Sequence, residues 1–406
     1  MREKFGALAE RNFRLVFSST TISSFGDGVS FVALAFAILK IHNSPTSVAV
    51  VLAARQAAAT VVTLAAGVVA DRLPRHLVLV AVAGTQGAVQ AVVGALVLSG
   101  HATIPALVGL AVLYGAADGF VIPTSQGLIP SIVSAGRLQQ ANALLGLTRS
   151  LLGMLGPTIG GVLTALGSPG AALEVDAATF VIAAVLLLRV VITPRADAVT
   201  PERFFVELRA GWTEFKRQTW ISHTFVFFLL GNFFGSSWGV LGPYLVKQHY
   251  GGALSWGFIG GAAGVGAVLG GVAALRIKPR RIVLASCLWS ILYGLPTLVL
   301  GLLLPLPLVV AAALLQGFGL ALHLTLWFTA FQQQVPEEAL SRVSSYDAIG
   351  SFTLIPLGTA TAGLVAGAIG ARVTLLAAGA AAMILNILIL FVRSIYRVEA
   401  GVPQAA

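Results

Sequence analysis

Six ionisable residues stand inside otherwise apolar runs of this chain: Asp27, Arg55, Asp118, Arg149, Asp176 and His323. A charge in hydrocarbon is costly and needs a partner or water, so these are the positions where chemistry is expected. A carboxylate beside an arginine can work as a proton-exchange device. Burial disfavours the ionised acid, a guanidinium restores it, and motion that separates the two couples protonation to conformation. At a rise of about 1.5 Å per residue, Asp27 lies about 20 Å along its helix from Arg14, and Arg55 about 14 Å from the outer start of the next helix. The matched depths predict an Asp27–Arg55 pair. Asp118 and Arg149, about 15 and 12 Å from the inner ends of their helices, predict a second pair. Either pair can also serve as a structural bridge that fixes helix packing. Asp176, about two turns into its run, reads as a near-surface carboxylate at a helix start. His323 reads either as a packed core histidine or as a further titrating group.

The elements that must hold these residues follow from composition. Of 406 residues 57% are hydrophobic and only 10% charged, with a mean hydropathy of +0.92. A globular surface needs more charge than that, whereas repeated apolar runs of about 20 residues are the mark of bilayer-spanning helices. Twelve such runs are expected, at 14–40, 46–70, 76–99, 103–128, 143–166, 170–192, 221–247, 254–275, 282–303, 306–332, 344–368 and 371–392. The fold class is therefore an all-α membrane protein, with twelve transmembrane helices in two six-helix bundles. The expected domains are 1–192, a linker at 193–220, and 221–406 with a short tail.

Charge placement sets the expected orientation. With a cytoplasmic N-terminus, Lys and Arg gather on the inner side, with Lys40, Lys247 and Arg372 outside and Arg55 and Arg149 within helices. This is the positive-inside pattern. It places both termini in the cytoplasm of a multi-pass inner-membrane protein, and accounts for the net charge of +10 without nucleic acid. In the linker, Thr200-Pro201 opens a helix whose Phe204, Leu208, Trp212 and Phe215 share one face, an interfacial tether. The single cysteine, Cys287, excludes an internal disulfide and reads as a small core residue. No catalytic nucleophile, metal cluster or nucleotide loop is legible; Gly260–Gly266 lies inside an apolar run and reads as helix packing. No cofactor is expected. The expected partners are a small-molecule substrate, protons and the lipid bilayer, around a monomer.

Three stretches carry more specific information. Gly153-x-x-Gly156-Pro157-x-x-Gly160-Gly161 puts small residues at a spacing that flattens a helix face for a close neighbour, with a proline to bend it. Gly67-x-x-x-Asp71-Arg72-x-x-Arg75 joins the second and third runs, and Gly270 to Arg281 echoes it between the eighth and ninth with Leu275 at the acid's place. Asp71 can sit at the positive N-terminal end of another helix, while Arg72 and Arg75 can equally be membrane anchors. Asn12-Phe-Arg-Leu15, Ser24-Phe-Gly-Asp27, Asp176-Ala-Ala-Thr-Phe180 and Arg342-Val-Ser-Ser-Tyr-Asp347 complete the set.

These motifs resemble those of the major facilitator superfamily. The glycine-proline stretch is similar to the fifth-helix antiporter motif of its drug exporters, and the Asp71 loop to its signature loop, with Pro74 and His76 departing from the pattern. The last set resembles the branch of drug:proton antiporters that includes macrolide-efflux proteins and the enterobactin exporter. The resemblance implies alternating access between two halves, Asp71 latched to the eleventh helix, and a cavity lined by the first, fourth, seventh and tenth helices. Asn232, Trp238, Tyr244, Trp327 and Gln332 would then offer aromatic and polar contacts to substrate. It implies export of a mid-sized amphipathic compound (an antibiotic, siderophore or secondary metabolite) by proton antiport. An importer or facilitator of the same fold, or a non-transporting membrane sensor or scaffold, are the alternative readings. In the fourth helix Asp118 occupies the stretch where the multidrug branches carry a buried arginine.

Overall fold

A computed structural model describes residues 6–70, 73–191, 212–336, 343, 346–347 and 353–400. Asp71, Arg72 and most of the linker, including Thr200 to Leu208, lie outside the described residues. Among the described residues ten helices are long and apolar enough to cross a membrane. They are Arg11–Ile41, Pro45–Thr63, Arg75–Ser99, Ile104–Ile132, Pro169–Leu188, Thr219–His249, Ala253–Ala274, Ile282–Gly301, Leu306–Gln334 and Ala371–Phe391. Two further helices, Leu138–Leu166 and Ile355–Ile369, stand in the fifth and eleventh places. The fifth has the length of a span but carries Gln139, Gln140, Asn142 and Arg149 in its first half. Those side chains lower its apolarity without breaking a helix, so it starts at Leu138 and not at 143 as its apolar run suggests.

Local chemistry sets the ends and breaks. Thr103 and Ser168 cap the fourth and sixth helices by accepting from the Ala106 and Ala171 amides, each followed within two residues by a proline. The third helix ends on Gly100 at φ 76, the left-handed conformation that glycine adopts most easily. The fourth is interrupted between Asp118 and Val121. Pro123 has no N–H to offer the Gly119 carbonyl, and the Thr63 hydroxyl lies 3.1 Å from that oxygen instead. In the ninth, Pro296 follows a short 3-10 turn at Ile291–Gly294 in the same way.

The chain forms two compact units, Met1–Ala198 with Val246–Gly261, and Val199–Leu245 with Ala262–Ala406. In the first, the third and first helices pack most extensively against the sixth, the first also lies along the fifth, and the second lies along the fourth. An apolar core closes the end where the first helix begins, built on Phe13, Val16, Leu79, Leu128, Leu145 and Leu187. In the second unit, Trp220, Val283, Cys287, Trp327, Phe331 and Ile389 form the corresponding core, with Cys287 fully enclosed. Residues 212–217 of the expected linker helix are described and helical. Phe215 is buried there, Trp212 stacks on it at 5.4 Å, and Lys216 Nζ lies 4.9 Å from the Trp212 ring.

Candidate functional site

The break in the fourth helix positions the centre of the first unit. It leaves Asp118 as the last residue of its helical segment, and irregular backbone at membrane depth is tolerated where it lines a cavity. A cavity of about 210 Å³ opens there, with Ser23, Asp27, Gln86, Asp118, Ser125 and Arg149 among its walls. Asp118 accepts a hydrogen bond from Gln86 Nε2 at 3.3 Å. Asp27 accepts one from the Tyr114 hydroxyl at 2.7 Å. The Arg55 guanidinium lies over the same Tyr114 ring, 3.9 Å from its centre.

Both expected ion pairs are therefore remade. Asp27 and Arg55 do share a depth, but they meet through Tyr114 and not face to face. Asp118 and Arg149 share the cavity without contact, since Arg149 is exposed and Asp118 is held by Gln86. Among the described residues the ion pairs are Arg137–Glu10, Arg217–Glu214 and Arg280–Glu399, none of them in this cluster. Rise per residue fixes height along a helix; which way a side chain points depends on rotation and packing that a single run does not reveal.

Asp176 also departs from its reading. It is fully enclosed, not near-surface. Gln90 Nε2 donates to its Oδ2, and Thr179 Oγ1 lies 3.4 Å from its Oδ1. Gly26 of the first helix makes room for it, because a Cβ there would collide with Asp176 Oδ1 and Thr179 Oγ1. Gln86 and Gln90, one turn apart on the third helix and both buried, thus each serve one acid. A pair of glutamines in an apolar run was the available signal, since buried amides need partners.

The glycine-proline stretch faces two neighbours and not one. A Cβ on Gly156 would stand 2.7 Å from Gly28 Cα, and one on Gly160 2.6 Å from the Val29 carbonyl, both in the first helix. One on Gly161 would stand 2.7 Å from the Ala253 carbonyl, and Pro157 borders Gly257 and Gly260. Gly153 has no such neighbour; a Cβ there would meet open space. Nearby, Lys247 Nζ donates to the Leu39 carbonyl at 2.6 Å and to Asn43 Oδ1 at 3.1 Å, at the far end of the first helix.

Of the signature loop, Arg75 bonds the Gly127 carbonyl at 2.8 Å, tying the third helix to the fourth. Gly67 lies within the second helix, which runs Pro45–Ala70 in full, and Asp71 and Arg72 are outside the described residues. In the second unit His323 Nδ1 lies 3.1 Å from the Ser286 carbonyl, and Ser286 Oγ donates to the His323 carbonyl at 3.0 Å. With Phe228 and Trp327 against its ring, it has the surroundings of a packed core histidine. Trp327 is buried in the same aromatic group, its Nε1 3.3 Å from Asp347 Oδ2. Asn232, Trp238 and Tyr244 are half-buried and Gln332 is exposed; none of these lines the cavity of the first unit.

Residues 3–404 match the transmembrane secretion effector family. The enterobactin exporter EntS of Shigella boydii serotype 18 is 29% identical over 401 residues, covering 94% of this chain and 91% of its own. That of Salmonella typhi is 29% identical over 372 residues, 85% of each chain. Among solved structures, a peptide transporter POT superposes with a TM-score of 0.74 at 12% identity over 97% of this chain and 96% of its own. A bacterial homolog of the human lysosomal transporter Spinster gives 0.72 at 14% identity over 95% and 98%. The last two likenesses speak to the fold.

Proposed function

Because the chain belongs to the transmembrane secretion effector family of the major facilitator superfamily, we propose that it exports a mid-sized amphipathic compound in exchange for protons. It is a multi-span membrane transporter and not an enzyme. The observation that carries the proton reading is that Asp27 and Asp118 line one cavity, with Arg55 reached from Asp27 through a single tyrosine. A proton taken up by Asp27 removes the charge that Tyr114 holds in place, which frees the Arg55 contact to rearrange. Moving one charge through the membrane potential supplies about 2.3 kcal/mol per 100 mV, enough to bias two conformations. The protein works in this reading as a monomer in the inner membrane with both termini cytoplasmic. The glycine-proline stretch bends and seals, and the Gly67–Arg75 loop gates. Asn232, Trp238, Tyr244, Trp327 and Gln332 are proposed substrate contacts. The enterobactin exporters among its relatives make enterobactin the first compound to try.

The test uses inverted membrane vesicles that acidify their interior by respiration. Enterobactin uptake is expected to collapse on adding an uncoupler, and to be lost in Asp27→Asn and Asp118→Asn proteins that still insert. Uptake that persists with the proton gradient dissipated would remove proton antiport, and uptake only by right-side-out vesicles would reverse the direction.

A further inference from the structure

The first unit holds a second, smaller chamber. Its volume is about 20 Å³, and its walls include Arg55, Gln90 and Tyr114 together with Leu34, Val93 and Leu107. That is room for one water. The larger cavity runs toward the start of the first helix, past Ser19 and Ser23. The smaller one lies toward the other end, beside Leu34. Tyr114 borders the smaller chamber, with its hydroxyl on Asp27, which lines the larger one, and its face under Arg55. Gln90 reaches from the small chamber to Asp176.

Asp176 lines neither cavity but is one hydrogen bond from the small chamber through Gln90, while Asp27 and Asp118 open on the larger cavity. The groups that face it are few. From the first helix come Asp27 and the Ser30 hydroxyl, and from the second Arg55. The third presents Gln90 and the fourth Tyr114, and Thr179 Oγ1 on the acid's own helix lies 3.4 Å from its Oδ1. The fifth presents Arg149 only across the larger cavity. Glu174, on its own helix, turns against Gly94 of the third. Half-buried Arg55 thus faces Asp27, Asp118 and Asp176 together. Two carboxylates near one guanidinium in a low dielectric do not both stay ionised without penalty.

We propose that Asp176, held by Gln90 among the first, third and sixth helices, is a further proton-binding carboxylate, reached from the small chamber through the Gln90 contact while Asp27 exchanges through the larger cavity. The step is simple protonation: the carboxylate takes one H⁺ from the chamber to become the acid, and returns it as the Tyr114 contact opens and Arg55 turns toward it. Gln90 is the positioning residue, and Tyr114 ties Asp27 to the wall of the small chamber. This rests on the proton-exchange reading above, and the experiment separates the two.

Infrared difference spectra of the purified full-length protein in lipid, titrated over roughly pH 5 to 9, report protonated carboxyl groups without any substrate. The wild type is expected to show titrating carboxylic C=O bands, with Asp27 and Asp176 contributing separate ones. Asp27→Asn should remove one and Asp176→Asn the other. Gln90→Leu should keep the Asp176 band but move it to higher wavenumber, because its carbonyl loses a donor; this variant decides the matter if Asp176→Asn does not fold. Spectra of Asp176→Asn, or of Gln90→Leu, that superimpose on wild type would overturn the inference alone. Absence of any titrating band in the wild type would overturn it together with the proton-exchange reading.

Discussion

The Tyr114 hydroxyl donates to Asp27 Oδ1 across 2.7 Å while the face of the same ring carries the Arg55 guanidinium. One side chain from the fourth helix thus links an acid of the first to a base of the second. The hydrogen bond depends on the phenol oxygen and the cation contact on the ring, so substitution can separate them.

Tyr114→Phe keeps the ring under Arg55 and removes only the donor to Asp27. It should lower unfolding stability in detergent by about 2 kcal/mol, as for a hydrogen bond to a charged group. Tyr114→Leu should cost about a further 1–2 kcal/mol for the desolvated cation–ring contact. Thermal unfolding followed by tryptophan fluorescence reads both. Equal losses in the two variants would remove the ring contact from the account.

Gly156→Ala and Gly153→Ala should behave in opposite ways. The first drives a methyl to 2.7 Å from Gly28 Cα, where only backbone can yield, and about 1–3 kcal/mol of destabilisation follows. The second meets open space and gains helix propensity, so its stability should hold or rise by up to about 1 kcal/mol. Paired melting curves decide, and a tolerant Gly156→Ala would contradict the close approach of the two helices.

Glu10, just ahead of the first helix, joins it to the turn before the fifth. Its carboxylate accepts from Ser134 Oγ at 2.7 Å, from the Ser134 amide at 3.1 Å and from Arg137 at 3.4 Å. The Ser134 hydroxyl, then its amide and the Arg137 charge, hold the Glu10 carboxyl below its ordinary value against a smaller opposing effect of burial. A depressed acid contributes stability above its unfolded-state value and loses it as pH falls through the folded-state value. Glu10→Gln should therefore melt lower than wild type at neutral pH, by on the order of 0.5 kcal/mol for a half-buried acid whose arginine partner is exposed. The difference should vanish in acid below the ordinary glutamate range. A gap that persists in acid would assign the effect to packing.

Lys247→Met keeps the aliphatic stem and removes the donors to Leu39 and Asn43. About 1 kcal/mol of stability should go with them, and amide exchange around 42–44 should quicken. Unchanged exchange there would show that the ammonium does not hold this end of the first helix.

Much of the helical frame was legible because apolar runs and proline or glycine punctuation act locally. The Arg75–Ser99 helix agrees with its expected run to one residue, and the acids and arginines stood out because charge in such runs is rare. The partners did not stand out. Asp176 sits only seven residues past Pro169, which by rise alone is shallow, yet packing from the first and third helices encloses it. Tyr114 precedes Asp118 by one turn and so shares its face, but nothing local says that its hydroxyl reaches the first helix. Likewise Arg149 and Asp118 had suitable heights, and only the helix rotations separate them.

Cys287, the chain's single thiol, is sealed in the second unit's core. A maleimide or spin label added to the folded carrier finds no native sulfur to react with. Reporter positions can therefore be introduced one at a time, at Ser23 on the larger cavity or at Asn43 near the first helix's end, with the natural sequence otherwise intact. The wild-type protein is already the silent background that such accessibility measurements require.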